Sequence, residues 1–190
     1  MGRLRHRTTP GFTYFVTTKT WENRGIFQVS RNAEVLVECL LRYRDQGAYL
    51  LHEFVVMPNH LHLLITPGCD TSLERAMQFI KGGSSHAIHQ QGEHKMHIWQ
   101  AGFHEESTRN LDDYLVKVGY IQNNPVDARL ADKASDWAYS SASNQFKMDA
   151  PPHRLQTFSS GAKAPQPQTS GMSELKLRPP NLREPRGARC

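Results

Sequence analysis

The chain has 190 residues, 38% of them hydrophobic, and a formal net charge of +5, enough for one domain with a packed core and some additional tail. No apolar run approaches the roughly 18 to 20 residues needed to span a bilayer, and the basic start MGRLRHRTTP leads into no apolar segment of signal-peptide length, so a cytoplasmic protein is expected. Cys39, Cys69 and Cys190 are odd in number and far apart, which argues against a disulfide framework or zinc knuckle and fits reduced thiols.

In chain order, residues 12–18 (FTYFVTT) are aromatic and β-branched and predict a strand. After a turn at Glu22 to Gly25, residues 31–46 place Val35, Cys39 and Leu40 at helical spacing, and Gly47 ends that helix. Residues 48–57 (AYLLHEFVVM) predict a second strand, Pro58-Asn59 a turn, and residues 60–66 (HLHLLIT) a third strand. Pro67-Gly68 breaks it, and Asp70 or Thr71 can cap a helix through Ala76, Phe79 and Ile80 that Gly82-Gly83 weakens. Residues 98–106 (IWQAGFHEE) read as a fourth strand. Asn110 then caps a helix running towards Pro125, with Asp112 and Asp113 in its first turn. This order of elements predicts an α+β, ferredoxin-like domain over residues 1–150, with helices packed on a central antiparallel sheet. From Pro151 the chain is rich in Pro, Ser, Gly and Gln and poor in large apolar residues, and is expected to be a disordered tail. Acidic and basic residues cancel over 1–150, so the tail, 151–190, carries the whole positive excess. It reads either as an electrostatic arm for a polyanion or as a solvated linker.

His60 and His62 stand two residues apart in the third predicted strand. Side chains alternate along a strand, so both imidazoles leave one face while Leu61, Leu63 and Ile65 leave the other for a core. Two neutral imidazoles so placed can share a divalent cation; histidines on a solvated sheet face are the plainer alternative. On the last helix, at about 100° per residue, Leu111, Leu115, Val118 and Gln122 cluster as the core-facing stripe, flanked by Tyr114 and Ile121. Tyr114 therefore reads as core. Tyr120 falls on the other side, with Asn124 over the same surface. A phenol, with its pKa of about 10, is a poor nucleophile at neutral pH. It attacks a phosphodiester when a cation stabilises the developing charge. Asn124 offers a neutral oxygen as a third ligand, although Pro125 restricts its backbone.

Taken together, TYFVTT, IFQ, VVMPNHLHLLI, WQAGFHEE and YIQNNPVDARL resemble the REP-associated tyrosine transposases, within the single-tyrosine HUH transposases. The resemblance covers about residues 8–146, and WAYSSA is similar to the family's final element. It implies a ferredoxin-like fold, a divalent metal (Mg2+ or Mn2+), and cleavage of single-stranded DNA through a 5′-phosphotyrosine. By motif match, it implies His60 and His62 as metal ligands, Tyr120 as nucleophile and Asn124 as an additional ligand. The implied substrates are palindromic repeats folding into hairpins near a short single-stranded guide; the implied assembly is a monomer or homodimer. One departure is Gly82-Gly83-Ser84-Ser85, where relatives more often continue a basic helix.

Arg3, Arg5, Arg7, Lys81, Arg109 and the tail arginines are candidate phosphate contacts, and Trp99 is either a base-stacking surface or core. His52, His86, His89, His94, His97 and His104 read as surface or strand-end residues, with His104 the alternative ligand. Two other readings remain open: a nucleic-acid-binding module that does not cut, and a hydrolase that uses the same histidines to activate water.

Overall fold

The fold, seen in a computed structural model that describes Thr9 and residues 11–91 and 96–156, follows from two hydrophobic patterns. Strands β1 (Tyr14–Lys19), β2 (Tyr49–Met57), β3 (His60–Pro67) and β4 (His104–Ser107) alternate with α1 (Ser30–Asp45) and α2 (Leu73–Gln91), followed by α3 (Leu111–Asp127) and the single turn α4 (His153–Gln156). All pairings are antiparallel, in the spatial order β2-β3-β1-β4. This is the βαββαβ, ferredoxin-like arrangement that the sequence predicts.

Each face of the sheet has its own cover. Val16, Leu61, Leu63 and Ile65 meet Ala33, Leu36, Val37 and Leu40 of α1 and Leu73, Ala76, Met77 and Ile80 of α2 in the main core. The helical residues fall at i, i+3, i+4 and i+7, the spacing that gives a helix one apolar side. On the opposite face Phe15, Val55, Met57 and Leu64 pack against Tyr114 and Ile121 of α3 and Leu155 of α4. β3 is buried along its whole length. The alternation there sorts residues between two cores, not between core and water.

Four local expectations differ from what is observed. First, Gly82-Gly83 does not end or bend α2, which runs unbroken through them. A Cβ on Gly83 would lie 2.8 Å from the Tyr43 ring and 3.0 Å from Cys39 Sγ, so the glycine allows α1 and α2 to approach closely. Second, the fourth strand covers only His104–Ser107; Trp99 makes one isolated bridge to Thr20, and Gly102, at φ +73°, turns the intervening chain. Third, Leu115 is not in the buried stripe of α3. It is 54% exposed, while Tyr114, Ile121 and Pro125 are buried. Pro125 sits inside the last turn of the helix and is buried, so the covered side of α3 runs through Tyr114, Ile121 and Pro125, and Leu115 lies about 100° round the helix from Tyr114. Fourth, His52 is neither surface nor strand-end but buried at a bulge in β2, bonded to Thr66 Oγ1 (2.8 Å) and the Asp149 carbonyl (3.2 Å).

The outer edge of β2 is covered by the segment after α3. Val56 donates to the Tyr139 carbonyl, Asp149 donates to the Leu51 carbonyl, and Leu51 donates back to the Asp149 carboxylate. Ordered chain continues six residues past the compositional boundary at 150, because Leu155 is buried beneath α3. The rest of the expected disordered tail lies outside the described residues. Among the described residues, no helix is long and apolar enough to cross a membrane, and Cys39 and Cys69 are free thiols.

Candidate active site

The pleat aims two strands at one spot, and a helix crosses above it. Pairing in register sets Thr17 beside His62 and Lys19 beside His60. Phe15, Thr17 and Lys19 of β1 therefore share the face from which His60 and His62 of β3 project. α3 crosses this face and brings Tyr120 down onto it. The His60 and His62 ring centroids lie 4.8 Å apart, and the Tyr120 ring lies 5.2 Å from His62, edge on. Phe15 stacks on His62 at 5.5 Å and meets Tyr120 at 5.7 Å, forming an apolar floor beneath them. The Asn124 side chain lies close enough to both His60 and Tyr120 to act on the ionisation of each. A single chain thus brings together four of the nine site residues expected from the sequence.

Each imidazole is fixed from behind. His60 Nδ1 lies 2.7 Å from Asn59 Oδ1, an acceptor, and so carries the proton. His62 Nδ1 lies 2.8 Å from Thr17 Oγ1. Both rings keep Nε2 for the open side. Burial lowers the pKa of His60 to about 4, with the Lys19 charge adding to the effect and the Asn124 side chain opposing it. Burial, then His60, then Lys19 drive His62 well below its ordinary value. Both rings are therefore neutral lone-pair donors at pH 7. Tyr120 is 40% exposed. Burial of its inner part raises its pKa, the Asn124 side chain lowers it, and the Asp127 charge raises it. Its phenol holds its proton at neutral pH.

These donors suit a divalent cation: two oriented, neutral imidazoles and an amide within reach of one of them. Among the described residues, no group of three or more His, Cys, Asp or Glu side chains is arranged to hold a metal. A cation here would rest on His60, His62 and the Asn124 oxygen, with substrate oxygens completing its shell.

The other expected contacts lie elsewhere. Lys81 bonds the Gln100 and Gly102 carbonyls (2.7 and 2.6 Å), pinning the chain before β4 to α2, and burial lowers its pKa to about 8. Arg109 is exposed and paired with Asp113 at the start of α3. Arg3, Arg5 and Arg7 lie outside the described residues, as does His94. Trp99 is core: it is 9% exposed, packs against Phe27 and donates to Ser84 Oγ. His104 stands opposite Thr17 on β4, two strand spacings (about 10 Å) from His62, and pairs with Glu106. The sequence reading missed Thr17, Asn59, Lys19 and Phe15. Period-2 spacing groups Phe15, Thr17 and Lys19 on one face, and that signal was available. Which face it is depends on a strand partner 45 residues away.

Comparison with known proteins identifies the class. The transposase IS200-like family model matches residues 12–124, which run from just before β1 to Asn124 of the site, and the chain belongs to that family. Within it, the chain is similar to the REP-associated tyrosine transposase of Escherichia coli K12: 28% identical over 141 residues, covering 74% of this chain and 82% of the relative. An uncharacterized protein of Haemophilus influenzae is 31% identical over 156 residues, covering 65% of this chain and 86% of that one. The solved structure of a REP-associated tyrosine transposase bound to a REP hairpin superposes with a TM-score of 0.63 at 25% identity, covering 87% of this chain and all of that one.

Proposed function

We propose that this chain is a divalent-metal-dependent single-strand DNA endonuclease and strand transferase acting on hairpin-forming repeats, with Tyr120 as nucleophile. The observation that carries the reading is the convergence of Tyr120, His60, His62 and Asn124 on one face of the sheet. The hairpin bound by the structurally similar transposase supports the choice of substrate.

In this reading His60, His62 and Asn124 hold Mg2+ or Mn2+, which when bound supplies Lewis-acid stabilisation of charge on the scissile phosphate. The chain's own residues do the rest. Asn59 fixes the His60 tautomer, Thr17 accepts the Nδ1 proton that His62 carries when Nε2 holds the cation, and Phe15 excludes water beneath the rings. Asn124 orients the Tyr120 hydroxyl. The Tyr120 oxygen attacks phosphorus and its proton passes to solvent; the bond from phosphorus to the 3′ oxygen breaks, and that oxygen takes up a proton. The products are a free 3′-OH and a 5′-phosphotyrosine. Attack of a 3′-OH on that linkage restores the phenol and rejoins DNA without ATP, since one phosphodiester is exchanged for another. All four residues belong to one chain, so in this reading the site is assembled within a single subunit. Arg3, Arg5, Arg7, Arg109 and the basic residues of 151–190 are assigned to phosphate contacts.

The test is a denaturing gel of a labelled hairpin oligonucleotide with single-stranded flanks, incubated with protein and Mn2+. A protein–DNA adduct that disappears with EDTA or with Tyr120→Phe is expected. Cleavage without adduct would favour water activation. Binding that persists in EDTA and in Tyr120→Phe, with no cleavage at all, would favour a module that only binds.

A further inference from the structure

Lys19 plays no part in the site as drawn so far, yet it is built into it. It is half-buried at the end of β1, shares the site face with Phe15 and Thr17, and pairs in register with His60. Its charge is felt by both imidazoles. Two other half-buried lysines have their charges met: Lys117 lies between Asp113 (2.7 Å) and Glu106 (3.7 Å), and Lys81 holds two carbonyls. Among the described residues Lys19 has no carboxylate partner. The one carboxylate whose charge acts on a site residue, Asp127, acts on Tyr120 and not on His60 or His62.

An ammonium on the site face beside two neutral imidazoles, with no carboxylate paired to it among the described residues, is free to take an arriving anion as its partner. A divalent cation on the same histidines would add repulsion, and only an anion shared between the two charges relieves it. We propose that Lys19 is a catalytic residue that binds a non-bridging oxygen of the scissile phosphodiester and stabilises the negative charge that builds there as Tyr120 attacks. This rests on the nuclease reading for its chemistry, but not for its binding.

Two measurements on the full-length protein test it. In EDTA, binding of an oligothymidine of about twenty nucleotides, longer than one site, is followed against salt. Lys19→Gln should lower the slope of log affinity against log salt by about 0.7, one single-strand phosphate contact, while Lys19→Arg leaves it unchanged. With Mn2+ and the hairpin substrate, Lys19→Gln should slow single-turnover adduct formation about 100-fold and Lys19→Arg less than 10-fold. The thermal midpoint is expected to stay at the wild-type value; Lys19→Met replaces Lys19→Gln if that variant fails to fold. An unchanged salt slope overturns the proposal, as does an unchanged adduct rate where wild type forms adduct. A slope that falls in a protein whose wild type forms no adduct leaves the phosphate contact standing and removes the nuclease reading instead.

Discussion

Replacing Thr17 with valine keeps volume and strand propensity and deletes one oxygen. That oxygen lies 2.8 Å from His62 Nδ1, on a ring only 5% exposed. When Nδ1 carries the proton, as cation binding through Nε2 requires, that proton would be buried without a partner, at a cost of about 1–3 kcal/mol. The ring can escape most of this by moving the proton to Nε2, which faces the open side. The cost then falls on cation binding, because that proton must be displaced first. Loss of a hydrogen bond of this kind weakens metal affinity by about 10- to 100-fold, or about 1.4–2.7 kcal/mol. Calorimetric titration of metal-free protein with Mn2+ should show this loss for Thr17→Val and recovery in Thr17→Ser, with the valine protein's thermal midpoint nearly unchanged. Wild-type affinity in Thr17→Val would refute the argument, as would a fall in Thr17→Ser of the same size.

The neighbouring glycines of α2 should respond in opposite directions. Gly82→Ala meets nothing within 4 Å and should stabilise by about 0.5–1 kcal/mol, whereas Gly83→Ala, facing Tyr43 and Cys39 at 2.8 and 3.0 Å, should cost about 1–3 kcal/mol; urea unfolding of each variant checks both signs. His52 is held neutral by burial, below its ordinary 6.5. Its contribution to stability is therefore complete above that value and is lost as pH falls through it towards the lowered folded value. The urea midpoint at about pH 5.5 should lie below that at about pH 7.5, and His52→Gln should shrink the difference. Asn124→Asp should tighten Mn2+ binding by adding a charged ligand, yet slow adduct formation, because a carboxylate beside Tyr120 raises its pKa further; calorimetry and the adduct gel would move in opposite senses.

The parts of the site legible in the sequence are those that depend on local periodicity alone. His60 and His62 share a face because they are two residues apart in a strand. Tyr120 and Asn124 share one because they are four apart in a helix. Thr17 and Lys19 become site residues only through the β1–β3 register, a long-range pairing that no local pattern encodes. The helical wheel placed Tyr120 usefully but misassigned Leu115, since a wheel has no means of knowing that the side of α3 running through Tyr114, Ile121 and Pro125 is the one that is covered. His52 was misread for a related reason. A bulge changes which way a side chain points, and nothing in YLLHEFVVM announces one. Gly82-Gly83 read as a break because glycine is costly in an isolated helix; here the room it leaves for α1 outweighs that cost.

The burial of Leu155 beneath α3 has a practical bearing on how the protein is handled. The proline-rich run that looks like a safe place to cut begins before the residue that wedges the tyrosine-bearing helix against the sheet. A chain stopped at Ala150 would retain every side chain of the site and lose one of the seven buried residues in the smaller core. Its sheet and first two helices would be untouched, while the helix that aims the phenol would exchange its amides with solvent more readily.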